Sequence, residues 1–145
     1  MTKYLIILSV YSLLSCNGNV EKNSVENETI YITNPKEVYK NLFHHYPDTS
    51  SVQVLHAQYW ESQHWTLEYK AFLKMKIKNK WWNNFLNNNL EKDTTNTQLQ
   101  LTEAPDWFIP SNNYIRYKSK SKSIQNSAVY YDSISKICYI YDSEL

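Results

Sequence analysis

His56, Glu61, His64 and Glu68 form the densest group of chemically versatile side chains in this 145-residue sequence. Imidazoles and carboxylates this close together raise two chemistries, zinc binding and acid/base hydrolysis. Zinc needs three or four such ligands converging at about 2 Å from the ion. His64 and Glu68 are four apart, which in a strand means about 13 Å, so they could share an ion only on a helix. No His-Glu-x-x-His pattern occurs, and the adjacent His44 and His45 diverge on a helix. The expected state of these histidines is hydrogen-bonded or exposed, with no metal bound. Glu61 and Glu68 would serve glycan hydrolysis only at a separation of about 5 or 9 Å, which their spacing does not set. Phosphate loops, Cys-x-x-Cys and Gly-x-Ser-x-Gly are all absent from the sequence. No catalytic residue and no cofactor is therefore assigned.

The aromatic residues are the stronger signal. Five Trp and thirteen Tyr stand beside a single Gly, and 15% of the chain is aromatic. Trp60, Trp65, Trp81, Trp82 and Trp107, joined by Tyr59 and Tyr117, exceed the ordinary need of a small core. Bulky aromatics with a polar tip suit binding hot spots and sugar stacking. They equally suit the core of a glycine-poor chain, and composition leaves both roles open. Arg116, Lys118, Lys120 and Lys122 alternate, so on one strand they would make a basic stripe. The formal charge is only +1, and a nucleic-acid surface is not expected. Contact with anionic lipid or polysaccharide, or a solvated strand edge, fits the stripe better.

The elements that must position these side chains follow from periodicity. Residues 66–77 alternate over twelve positions, with Leu67, Tyr69, Ala71, Leu73, Met75 and Ile77 on one face. That is a long strand with one buried face, and the rest of the chain is arranged to cover or extend it. Residues 51–60 form the preceding strand, antiparallel because its link is short. Neither of its faces is cleanly polar: Val52 and Val54 share one with His56, Gln58 and Trp60, while Leu55, Ala57 and Tyr59 take the other.

Asn34, Pro35 and Glu37 open a short helix carrying Val38, Tyr39, Leu42, Phe43 and Tyr46, which ends by Pro47. Residues 78–90 read as a second amphipathic helix whose Trp81, Trp82, Phe85, Leu86 and Leu90 form a broad apolar face. Its asparagines disfavour helix, so it must depend on docking against the sheet. Residues 91–104 read as loop, and residues 105–110 hold Trp107 and Phe108 between two prolines, where they plug a core edge or wall a ligand. Short strands at 114–118, 128–131 and 137–141 complete the expectation. It is an α+β domain over residues 34–145, with a single antiparallel sheet of about 4–5 strands packed with two short helices. Cys138 lies in one of these strands as a buried, inert thiol.

The first fifteen residues stand apart. Lys3 precedes an apolar run over residues 4–14, too short for a permanent span and suited to a signal-peptide core. The run ends at Leu13-Leu14-Ser15-Cys16, which resembles the lipobox of bacterial lipoproteins. That resemblance implies cleavage before Cys16, followed by acylation of its thiol and amine. Several acyl chains at roughly 0.8 kcal/mol per buried methylene anchor a protein stably where one chain does not. Cleavage removes Lys3 and no acid, so lipid rather than charge must do the anchoring. Residues 16–33 then form the lipidated cysteine and a flexible polar tether.

Trp60-Glu61, His64-Trp65, Glu68-Tyr69, Trp81-Trp82 with Phe85-Leu86, residues 104–108 and residues 138–141 resemble small, functionally uncharacterised lipoproteins of Bacteroidetes. The resemblance spans nearly the whole chain after Cys16 and carries no catalytic roles. It implies a lipid-anchored protein of the bacterial cell envelope, at the outer membrane, on its periplasmic or surface side. The expected partners are the lipid bilayer, through acylated Cys16, and an envelope protein. The function expected first is a non-catalytic protein-binding, accessory or inhibitor-like module using Trp60, Trp65, Trp81, Trp82, Trp107 or Tyr117. The alternatives are a small-ligand or glycan binder, which needs a cavity against Trp81 or Trp107, and an envelope glycan hydrolase.

Overall fold

A computed structural model of the chain describes residues 29–63, 66, 68–95, 101, 103–121 and 126–144. The expected signal peptide, Cys16, residues 17–28 of the expected tether, His64, Trp65, Leu67 and Lys122 lie outside the described residues. The elements run β1 Ile30–Ile32, α1 Pro35–Phe43, β2 Val52–Glu61, β3 Tyr69–Ile77, α2 Asn79–Asn89, β4 Leu90–Lys92, β5 Ile115–Ser119, β6 Ala128–Asp132 and β7 Ile137–Glu144. All seven strands join one sheet in the order β1-β2-β3-β7-β6-β5-β4, with every neighbouring pair antiparallel.

This corrects the expected strand number of four or five. The additional strands are β1 and β4, each only three residues long and each at an edge. Three residues are too few to display a period of two, so Ile30–Ile32 read as tether and Leu90–Lys92 as helix end and loop. They become strands because the free edges of β2 and β5 offer them ladder partners. The architecture is otherwise α+β, one antiparallel sheet with two helices.

Strand β3 sits between β2 and β7. Its Ala71, Leu73, Met75 and Ile77 are buried on the face covered by both helices, while Phe72 is buried on the other. The ambiguity of β2 is resolved by a bulge. Val54 pairs with Met75 but His56 with Lys74, so Leu55 is an extra residue in the ladder. The bulge changes phase: Val52 and Val54 before it, and Ala57 and Tyr59 after it, all pack in the helix-side core.

Helix α1 is capped as its opening residues require. The Asn34 Oδ1 accepts from the backbone N–H of Lys36 at 3.0 Å and of Glu37 at 3.4 Å. The helix stops at Phe43, short of Pro47, because His44 turns left-handed at φ 59° and its N–H donates to the Lys40 carbonyl at 2.8 Å. Helix α2 has no side-chain cap and no acid in its first turn. It is held by docking: the Trp82 ring stacks on Tyr131 at 3.9 Å and meets Tyr117 edge-on at 5.1 Å. At its far end Lys120 donates from Nζ to the Asn87 carbonyl at 2.6 Å, placing a cation where the helix leaves carbonyls unpaired.

The opposite sheet face is covered by residues 103–114 rather than by a helix. Phe108 is buried against Phe72 and Tyr139 there, with ring centroids 5.1 and 5.3 Å apart. Among the described residues no helix is long and apolar enough to cross a membrane.

Candidate functional site: a cavity between the helices and the sheet

The helix-side core is incomplete. Helix α1 packs over β2 and β3, and α2 docks through Trp82 over β5 and β6. Between them, above β6 and β7, lies a cavity of about 540 Å³, open on one side. That volume is within the usual range of small-ligand sites.

Aromatic rings from both helices build the wall. Tyr39 and Phe43 of α1 lie 4.4 Å apart between centroids, Phe43 approaches Phe85 of α2 at 5.6 Å, and Phe85 lies 4.8 Å from Trp81. The indole N–H of Trp81 donates to the Tyr39 hydroxyl at 3.3 Å, which satisfies the polar tips and pins the wall in place. These residues recur at helical spacing in the sequence. That two helices leave a gap between them is a matter of how they seat on the sheet.

The floor carries one acid, Asp142 of β7. Its Oδ2 accepts from the Tyr69 hydroxyl at 2.8 Å, while Oδ1 is shielded from solvent without a hydrogen bond of ordinary geometry. Burial pushes the Asp142 carboxyl up from its usual range; the Tyr69 hydroxyl and the Ser143 backbone N–H oppose this, and Glu144 adds to it. Tyr69 in turn stacks on Tyr59 at 5.9 Å, and Tyr59 donates to Glu61 Oε2 at 2.5 Å. Burial pushes both phenols far up, and the carboxylate each one faces pushes further, so both remain protonated donors. The Tyr69 hydroxyl and the Ser143 N–H thus hold the Asp142 carboxyl in place at the floor.

The rim is polar. His45 Nδ1 lies 2.9 Å from the Tyr46 carbonyl, so it must carry the proton and leave Nε2 as the free ring nitrogen. Lys120 also lines the rim and uses one of its three ammonium donors on Asn87. The cavity thus offers an apolar body, a buried carboxyl at one end and a cation at the other. It can hold a compact molecule by its apolar surface and fix its orientation by a donor aimed at Asp142.

The residues singled out from the sequence are dispersed. Trp81 lines the cavity, whereas Trp82 is 5% exposed and Tyr117 packs against it in the core. Trp60 and Trp107 belong to the opposite side of the sheet. There Lys70 Nζ sits 5.8 Å from the Trp60 ring, and Trp107 stacks on His56 at 5.4 Å. The aromatic surplus therefore forms no single face among the described residues. His56 and Glu61 also separate, because after the bulge they fall on opposite faces of β2. The Glu68 backbone N–H donates to Ser62 Oγ at 3.3 Å. No group of three or more His, Cys, Asp or Glu that could hold a metal occurs among the described residues. In the basic stripe, Arg116 pairs with Asp93 at 3.1 Å and Lys118 with Glu91 at 3.2 Å. Cys138 is fully buried, and burial pushes its thiol far up, away from reactivity.

Asp142 was not singled out from the sequence. Its signal was parity: it continues the inward stripe of Cys138 and Ile140, where an acid needs a reason to be. Comparison with protein-family models, curated proteins and solved structures finds no match.

Proposed function

We propose that this protein is a non-catalytic small-ligand-binding module of the cell envelope, anchored by lipid on Cys16. Its ligand is a compact apolar molecule carrying a hydrogen-bond donor at one end. The observation that carries this reading is the Asp142 carboxyl, the one acid in the lining of an aromatic cavity, desolvated there by burial. A donor delivered through the cavity to this partly desolvated carboxylate makes a charge-assisted hydrogen bond, stronger than one between neutral groups. The aromatic wall supplies the apolar contact, and Trp81 beside it serves as a reporter. The expected protein-contact function had the aromatic surplus as its support, and that surplus is divided between the two sheet faces.

Tryptamine, indole and indole acetate share one ring and differ in the group that would meet Asp142. Titrated against the protein and followed by Trp fluorescence and amide NMR shifts, tryptamine is expected to bind about tenfold or more tighter than indole. Indole acetate is expected to bind most weakly. Asp142→Asn should bring tryptamine and indole close together. No shift at Asn84, Ser127 or Asp142 with any of the three, or an order untouched by Asp142→Asn, would overturn the reading.

A further inference from the structure

The opposite end of the sheet holds a second concavity, of about 650 Å³ and wide open, of a different chemical character. It is built where the start of β2, the end of β3, the start of α2 and the β6–β7 turn meet. Two backbone bonds tie these pieces together: the Lys78 N–H donates to the Ser51 carbonyl at 2.9 Å, and the Ile77 N–H to the Lys136 carbonyl at 3.0 Å. Four lysines, Lys76, Lys78, Lys80 and Lys136, line it, and no acid does.

None of the four has an ion-pair partner within 4 Å among the described residues. The neighbouring acids are occupied. The Asp48 carboxylate accepts from the Ser50 N–H and the hydroxyls of Ser50 and Ser51, at 2.8–2.9 Å. Asp132 accepts from the N–H groups of Ile134 and Ser135 and from the Ser135 hydroxyl. Asp48 and Asp132 act on Lys78 and Lys136 from a distance, yet neither lines the bowl.

Four like charges around one concavity repel one another, and folding alone gives no reason to gather them. The start of α2 adds to the imbalance. Lys78 occupies its N-cap without a side-chain cap, and Asn79 and Lys80 of its first turn line the same concavity, which adds the partial positive charge of a helix start to that of the lysines. A multiply charged anion removes both penalties at once. The side-chain amides of Gln53 and Asn79, also in the lining, supply neutral donors for its oxygens.

We infer that this lysine bowl binds a phosphate-rich group carrying at least two negative charges, either on a soluble molecule or as a phospholipid head group. The bowl is separate from the cavity at Asp142, which lies roughly 20 Å away along β3, so the two readings stand or fall independently.

The test uses the full chain in phosphatidylcholine nanodiscs, with inorganic pyrophosphate as the soluble probe and nanodiscs doped with cardiolipin, whose head group carries two phosphates, as the lipid arm. Pyrophosphate is expected to shift the amide resonances of Ser51, Asn79 and Lys80 and to bind less tightly as salt rises. Lys78→Gln and Lys136→Gln should each weaken binding about fivefold, the worth of one lysine beside an anionic surface. Lys36→Gln, on α1 and away from the bowl, should leave it unchanged. These lysines carry no core packing, and amide spectra that match the parent outside the bowl confirm that the variants fold. A response to pyrophosphate assigns the site to soluble phosphates, and one confined to cardiolipin assigns it to head groups; either supports phosphate recognition. No shift with either probe, an equal response to chloride, or affinity unchanged in the double lysine variant would overturn it.

Discussion

Asp142 shows how far a single residue's role depends on its surroundings. Its carboxyl is raised by burial, so between the ordinary value of 3.8 and the raised one the folded state holds more proton than the unfolded state. Stability must then fall as pH rises through that window and level off above it. Asp142→Asn removes the ionisation and keeps an oxygen for Tyr69. The variant is expected to be more stable than the parent at neutral pH, by on the order of 1 kcal/mol. The two should converge below the ordinary aspartate range, as read by urea unfolding at several pH values. Under the proposed function the same substitution is expected to abolish preference for a donor-bearing ligand, as read by the tryptamine and indole titrations. His56, Glu61 and Glu68 teach the converse lesson. Their proximity in sequence was legible, but strand alternation sends His56 to Trp107 on one face and Glu61 to Tyr59 on the other.

At the scale of elements, β3 was legible from its long alternation over residues 66–77, although the strand begins only at Tyr69. Strand β2 was not, because Leu55 interrupts its period and makes both faces look mixed. Deleting Leu55 restores strict alternation from Val52 to Tyr59 and is expected to leave a folded protein, with a thermal midpoint within a few degrees of the parent. Deleting Gln58 leaves the bulge and turns Tyr59 away from the core, since a one-residue slip exchanges the faces. That variant is expected to lose cooperative unfolding by circular dichroism. The helices follow a similar division. Asn34 announced the start of α1, whereas α2, rich in asparagine and uncapped, owes its place to Trp82 seated on Tyr131 and Tyr117.

At the scale of the molecule the sheet has two unlike ends. Glu61, Tyr69 and Glu144 align at one, beside Asp142 and the point where the chain enters at Ile30; Lys76, Lys78, Lys80 and Lys136 gather at the other. Cys16→Ala is expected to move the protein from the membrane to the soluble fraction while leaving tryptamine and pyrophosphate binding unchanged, as checked by fractionation and titration. The sequence by itself determined the long central strand, the alternation of buried and exposed residues along it, the cap of α1, the inert position of Cys138 and the aromatic wealth of the core. These depend on neighbours a few residues apart, where periodicity and local hydrogen bonding are written in order. Only the tertiary structure decided the edge strands, the division of the tryptophans between two faces, the gap between the helices and the meeting of Asp142 with Tyr69, 73 residues apart. Those features arise where distant segments pack, and their geometry is set by the shapes that meet rather than by any local pattern.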